Sequence, residues 1–214
     1  MKKVLFFLSI FTFAFTLNAQ NSEKAKTLLD EVYTKVVSYE NIKIDFTYSL
    51  ENSEAGIKQE TNGNVTLKGD NYLANLFGST QLFDGKKLYT IVPENEEVTI
   101  EDQIDNDETV TPSKMLTFYK TGHNYAWDIL QNSSGRQIQF IKLSPIDSNT
   151  EIKSILLGVD TQTKHIHKLI ETGKNGTKTT ITVNSFKTNQ PLSKSLFTFD
   201  EAKYKNEGYY IIKN

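Results

Sequence analysis

The 214-residue chain contains no cysteine. Disulfides and thiol chemistry are thereby excluded, and the fold must hold together by packing alone. An excess of basic charge is also missing: the formal net charge is −2, Arg136 is the only arginine, and no segment carries a basic stripe. Nucleic acid and anionic membrane surfaces are therefore not expected as main partners. There is no Gly-rich loop to cradle a phosphate and no Gly-x-Ser-x-Gly elbow to present a nucleophile, so the common nucleotide and serine-hydrolase chemistries have no support. After the first nineteen residues, no segment is apolar enough to span a bilayer.

What is present begins with Lys2 and Lys3, an apolar run from Val4 to Leu17, and the small residue of Asn18-Ala19-Gln20. This is the pattern of a secretory signal peptide over residues 1–19, too short and wrongly flanked for a comfortable span. No cysteine follows it, so an acylated N-terminal cysteine is excluded. Residues 20–214 show no internal repeat, low-complexity tract or linker, which predicts one exported domain with a substantial core.

Within that domain Ser22 is expected to cap a helix running to about Tyr39, because Ala25, Leu28, Leu29, Val32 and Val36 form one apolar stripe. Most of the rest reads as strand. Ile42, Ile44, Phe46, Tyr48 and Leu50 alternate with polar residues, the signature of a sheet with one buried face. Further strands are predicted at 58–67, 71–77, 80–84, 87–93, 97–102, 125–131, 136–143, 151–159, 165–172, 177–186 and 209–212. Asp84-Gly85 is a hairpin signal, Asn175-Gly176 a weaker turn signal, and Asn62-Gly63 either a turn or a bend in a strand. Tight turns at regular spacing favour antiparallel order. Thr111-Pro112 opens a short apolar helix through about Tyr119, and a second helical turn is expected at Leu192–Leu196.

Few groups suggest chemistry. His165 and His167, two apart in a strand, would share a face and with His123 could offer three metal ligands; exposed histidines are the simpler account, and no metal is expected. Residues 94–108 carry eight carboxylates without a lysine or arginine. Asp105-Asn106-Asp107 lacks the Gly and distal Glu of a calcium-binding EF-hand loop, so a solvated acidic strand and loop is the expectation. Neither enzymatic activity nor a cofactor is indicated. The thirteen Phe and ten Tyr are compatible with an apolar pocket or with an ordinary packed core, and periodicity does not choose between them.

The ordered set of "AKTLLDEVYTKVVSYENIKIDFTYSL", "GNVTLKGD", "FDGKKLYTIVP", "EVTI", "TPSKMLTFY", "VDTQTKHIHKLI" and "LFTFD" resembles the periplasmic lipoprotein carrier family LolA. The resemblance implies a mainly β protein with helices (α+β). Its single unclosed, strongly curved antiparallel sheet, a half-barrel, would carry a helical lid over an apolar cavity. It further implies a monomeric, non-enzymatic periplasmic carrier. Such a carrier takes acylated lipoproteins from an ATP-driven exporter in the inner membrane and delivers them to an outer-membrane acceptor. The alternative within the same fold is a carrier of free lipids or lipid-linked metabolites. On this view Ile44, Phe46 and Tyr48 form one wall of the cavity, with Tyr72, Ala74, Leu76, Tyr89 and Ile91 beside it, although Leu73 and Phe77 offer the opposite parity. Leu28, Val32, Met115 and Phe118 would contribute to the lid. In one respect the chain departs from the pattern: the family places an arginine, thought to latch the empty lid, after the lysine of "LKGDN", and here that position is Gly69.

Overall fold

The alternation read from Ile42 onward is the axis of the molecule. The computed structural model describes residues 2–102, 111–133 and 135–213, with side chains from residue 20 onward. A long helix, α1 (Lys2–Val37), leads into β1 (Ile42–Asn52), from which the chain meanders through five more strands. These are β2 (Ile57–Lys68), β3 (Asn71–Leu76), β4 (Ser79–Phe83), β5 (Lys87–Val92) and β6 (Glu97–Asp102). The short helix α2 (Pro112–Met115) and a 3-10 turn (Phe118–Lys120) precede β7 (His123–Ser133), which forms the far edge of the same sheet. The chain then works back through β8 (Arg136–Pro145), β9 (Ile152–Asp160) and β10 (Ile166–Gly173) to β11 (Lys178–Thr188), which pairs antiparallel with β1. Finally α3 (Glu201–Asn206) leads to β12 (Tyr210–Lys213), parallel to β6.

The result is one twelve-stranded, strongly curved sheet that does not close into a barrel, with β12 and β7 at its edges and β1 at its middle. Every pairing is antiparallel except β12 with β6. Its twist is helped by bulges, which bend a strand by inserting one unpaired residue. One lies on β11 opposite Asp45 and Phe46. Another lies on β7 between Trp127 and Leu130. There the buried Gln139 turns its side-chain amide back onto the strands, donating to the carbonyls of Asp128 (2.8 Å) and Phe140 (2.8 Å), so the irregular backbone is satisfied internally.

The stripe on α1 packs on the concave face. Ala25, Leu28, Leu29, Val32 and Val36 are all buried against Ile141, Leu143, Ile155, Leu157 and Val159 of β8 and β9. At about 1.5–3 kcal/mol for each fully buried Leu or Val, this seam anchors the helix far more firmly than helix propensity could. A second cluster lies on the convex face: Leu82, Tyr89, Ile91, Val98 and Ile100, covered by Phe199, Tyr204, Tyr209 and Ile211 of the C-terminal segment.

Several local expectations need correction. Ser22 caps nothing, because α1 already runs from Lys2 and no Gly or Pro separates the apolar run from residue 22; side chains of the expected signal segment lie outside the described residues. The helix expected from Thr111 to Tyr119 breaks after four residues, with Thr117 leaving helical geometry at φ −132°, ψ −4°. Thr111 does cap it, its hydroxyl accepting from the Lys114 N–H at 3.2 Å. Leu192–Leu196 forms hydrogen-bonded turns rather than a helix. The unexpected α3 is capped by Asp200, which accepts from the Lys203 N–H at 3.0 Å. In the β4–β5 hairpin the two loop residues are Gly85 and Lys86, since Phe83 faces Leu88 and Asp84 closes the loop. Asp84 Oδ1 accepts from the Lys86 and Lys87 N–H groups, and Gly85 supplies the φ of +95° that the reversal demands. Gly63 makes no turn. It lies within β2 opposite Phe46, and a Cβ there would sit 2.6 Å from the Phe46 ring.

Candidate functional site

Where α1 does not cover the concave face, an apolar cavity of about 350 Å³ remains, within the range of about 300–1,000 Å³ usual for small-molecule sites. Its floor is the centre of the sheet: Ile44, Phe46 and Tyr48 of β1, Val65 and Leu67 of β2, Ala74 and Leu76 of β3. One wall comes from Ile166 and Leu169 of β10 with Ile181, Val183 and Phe186 of β11; Pro112, Met115 and Leu116 of the α2 segment form the opposite cover. The two sequence-distant walls meet because β11 pairs with β1, setting Val183 opposite Phe46 and Ile181 opposite Tyr48. Among the described residues no lining residue is charged; Ser79 and Gln81 of β4 are the polar contributors besides the Tyr48 hydroxyl.

The rim carries Phe77, 60 % exposed at a φ of +53° in the β3–β4 turn, and Met115, 42 % exposed. Phe77 meets Tyr48 edge to face at 5.1 Å between ring centroids. The opposite end is shut by an aromatic stack. The Phe186 ring, which lines the cavity, lies 4.1 Å from the His165 ring. His165 Nε2 is hydrogen-bonded to the Tyr39 hydroxyl at 2.8 Å. Burial, with a smaller contribution from Lys35, holds His165 below the usual imidazole range.

Of the residues expected to form the wall, Ile44, Phe46, Tyr48, Ala74 and Leu76 line this cavity, as does Met115 from the expected lid. Tyr72 shares their face but is buried in the main core beside Phe83. Leu28 and Val32 belong to the helix seam, and Phe118 packs against the core, edge-on to Tyr119; none of the three lines the cavity. Tyr89 and Ile91 are corrected outright: they lie on the convex face in the second cluster, with the Tyr89 ring stacked on Phe199 at 4.4 Å. Both parities of β5 are apolar because both faces of the sheet are covered there, so alternation could not choose. Cross-strand register could have: Tyr72 faces Phe83 and Phe83 faces Leu88, which puts Leu88 with Tyr72 and Tyr89 on the other side. Val183, Ile181 and Phe186 escape sequence reasoning because their pairing with β1 spans more than a hundred residues, and Leu169 because it joins them only through its pairing with Ile181.

Gly69 occupies the turn between β2 and β3 at φ +57°, with nothing within 4 Å of where a side chain would begin. The segment after α2 is tied to α1 differently. Lys120 pairs with Asp30 and sits 4.5 Å over the Tyr33 ring, while the Tyr125 hydroxyl donates to the carbonyl of Tyr119 at 2.8 Å. Hydrogen bonds from Lys120 and then Lys26 hold the Asp30 carboxyl below its usual range. Tyr119 is fully buried and its hydroxyl has no partner among the described residues.

Among the described residues no three His, Cys, Asp or Glu side chains gather as ligands. His165 is taken up by Tyr39 and Phe186, while His123 is edge-on to Phe118, with Nδ1 hydrogen-bonded to the Thr121 carbonyl. Asp105, Asn106 and Asp107 lie outside the described residues.

The same architecture recurs in known proteins. The family model "Outer membrane lipoprotein carrier protein LolA" matches residues 37–200. No curated protein shows a significant sequence match. An uncharacterized conserved protein from Thermus thermophilus superposes with a TM-score of 0.58 at 8 % identity, over 89 % of this chain and 99 % of its own. LprF from Mycobacterium bovis superposes at 0.51 and 12 % identity, over 81 % and 96 %. The LolA superfamily protein NE2245 from Nitrosomonas europaea gives 0.41 and 12 %, over 82 % and 98 %.

Proposed function

The chain belongs to the LolA family of outer membrane lipoprotein carriers, and from that premise we propose that it is a periplasmic carrier. It would shelter the acyl chains of lipoproteins in the cavity beneath α2 and ferry them from the inner to the outer membrane without catalysing a reaction. The observation that carries this reading is an apolar cavity, without a charged lining residue among the described residues, in a sheet that does not close into a barrel. An acyl chain needs such a shelter. At about 0.8 kcal/mol per methylene, a sixteen-carbon tail loses roughly 12 kcal/mol on exposure to water, too much for a bare intermediate to cross an aqueous gap. Release then calls for an acceptor that holds the tail better than the cavity does. An ATP-driven exporter would load the carrier and an outer-membrane acceptor would unload it.

Native mass spectrometry of the protein purified from its own envelope tests the reading directly. A co-travelling lipoprotein is the expected result. A small lipid alone would redirect the function to free-lipid transport, and an empty protein under every gentle condition would count against both. Phe46→Glu places a charge on the cavity floor and is expected to abolish capture while circular dichroism still reports a folded sheet. Normal capture by such a folded variant would remove Phe46 from the binding surface.

A further inference from the structure

The concave face does not stay apolar. Following one cross-strand row outward from the cavity, Ala74 faces Gln81, Gln81 faces Thr90, and Thr90 faces Thr99. Val98 and Ile100 point to the convex cluster, so alternation puts Thr99 and its neighbour Glu97 on the concave side. A shelf of amide and hydroxyl groups therefore begins at the cavity itself, where Gln81 is a lining residue. Among the described residues the Gln81 side chain has no hydrogen-bond partner, which leaves an amide donor and an amide acceptor open toward a guest.

Two carboxylates lie beyond the described lining on this face. Glu97 adjoins the shelf on β6. On the other flank Glu171 stands two residues beyond the lining residue Leu169, in the row that sets it opposite Thr179 and Ile155. Burial holds the Glu171 carboxyl above its usual range, and it has no ion-pair partner among the described residues. Among the described residues no lysine or arginine lines the cavity. Lys114, next to Met115 in the chain, is already held in an interaction of its own, as is Glu101 on β6.

We propose that the cavity takes acyl amphiphiles with a neutral or cationic head group and rejects those with a phosphate or carboxylate head, Gln81 being the residue that reads the head. The inference rests on the carrier reading above. An uncharged head exchanges its water for the Gln81 amide and the Thr90 and Thr99 hydroxyls. An anionic head loses its water without gaining a cation from the described lining and approaches Glu97 and Glu171.

The test uses the full chain, a fluorescent hydrocarbon probe seated in the cavity, and three single-chain competitors below their micellar concentrations. These are 1-palmitoylglycerol, hexadecylamine and hexadecyl phosphate. Hexadecyl phosphate is expected to displace the probe at least about tenfold more weakly than 1-palmitoylglycerol, with the gap narrowing at high salt. Gln81→Lys is expected to close most of that gap, and Gln81→Leu to weaken 1-palmitoylglycerol without strengthening the phosphate. If Gln81→Lys fails to fold, Thr99→Lys serves the same purpose from two strands away. Equal displacement by all three competitors, or a preference for the phosphate, overturns the head-group selectivity and leaves the carrier standing. Failure of every competitor, and of the probe itself, to bind overturns the carrier reading instead.

Discussion

Phe46 and Gly63 behave as one unit. The ring lies across a glycine on the neighbouring strand, at a distance no β-carbon would tolerate, so the absence of a side chain at 63 sets how low the cavity floor lies. Gly63→Ala is expected to cost about 1–3 kcal/mol through overpacking. Because the contact is with the far end of a ring, it should also push Phe46 into the cavity and weaken acyl capture. A variant with unchanged urea midpoint and unchanged capture would show that the ring relaxes elsewhere. Tyr119 argues in the other direction. Its hydroxyl is buried without a partner among the described residues, and a polar group stranded in this way costs about 1–3 kcal/mol. Tyr119→Phe should therefore raise the thermal midpoint; a lower midpoint would mean that the hydroxyl has a partner, such as a buried water.

Short elements decide what the two faces of the sheet do. The C-terminal segment stacks Phe199 between Tyr89 and Tyr204, with centroids 4.4 and 5.2 Å away, and closes the convex cluster over β4, β5 and β6. Phe199→Ala should cost about 2 kcal/mol, less than the 3–5 kcal/mol of a fully buried phenylalanine because the ring is partly exposed. Acyl capture on the opposite face should persist in that variant, and its loss would mean that the two faces are coupled. This element also explains why strand periodicity puts Tyr89 and Ile91 on the wrong side. The strand periods are plain from residue to residue, but a second covering layer makes both parities of β5 apolar, and only the register against β4 tells them apart. The strands themselves are legible within a residue or two at most ends, since alternation and turn residues are local signals. α3 escapes because six residues with one capping aspartate hardly differ from a polar loop.

For the whole molecule, acid should be the condition that loosens it. Burial is the largest influence on both His165 and His167, and it lowers both below the ordinary imidazole value of 6.5. The unfolded chain therefore takes up protons first as pH falls. Stability is complete above about pH 6.5 and declines from there down through the folded-state values. Asp84 adds a later loss. Burial alone would raise its carboxyl, but the Lys87 and Lys86 N–H groups and the Tyr89 hydroxyl together outweigh burial and leave it below 3.8. Its contribution is present above that value and disappears as pH drops further. The thermal midpoint should thus fall as pH is lowered from about 6.5 to about 5.5, and the double variant His165→Phe, His167→Phe should lose most of that slope. An equal slope in the double variant would assign the acid sensitivity to other groups.

Local physics was enough for much of this protein. An apolar residue at every second position makes strands, Gly85 and Asn175-Gly176 make reversals, and the stripe from Ala25 to Val36 makes a helix that must lie on something. These follow from interactions between residues a few positions apart, whereas the expectation of a single unclosed sheet under a helical lid comes from the resemblance to the LolA family. The cavity follows from none of them. It exists because β11 returns to pair with β1 across more than a hundred residues, bringing Val183 and Phe186 to Phe46 and Ile44, while no described residue of α1 reaches the lining. Whether apolar side chains meet one another or enclose a space depends on where distant layers end, and that is decided only when the whole chain is packed.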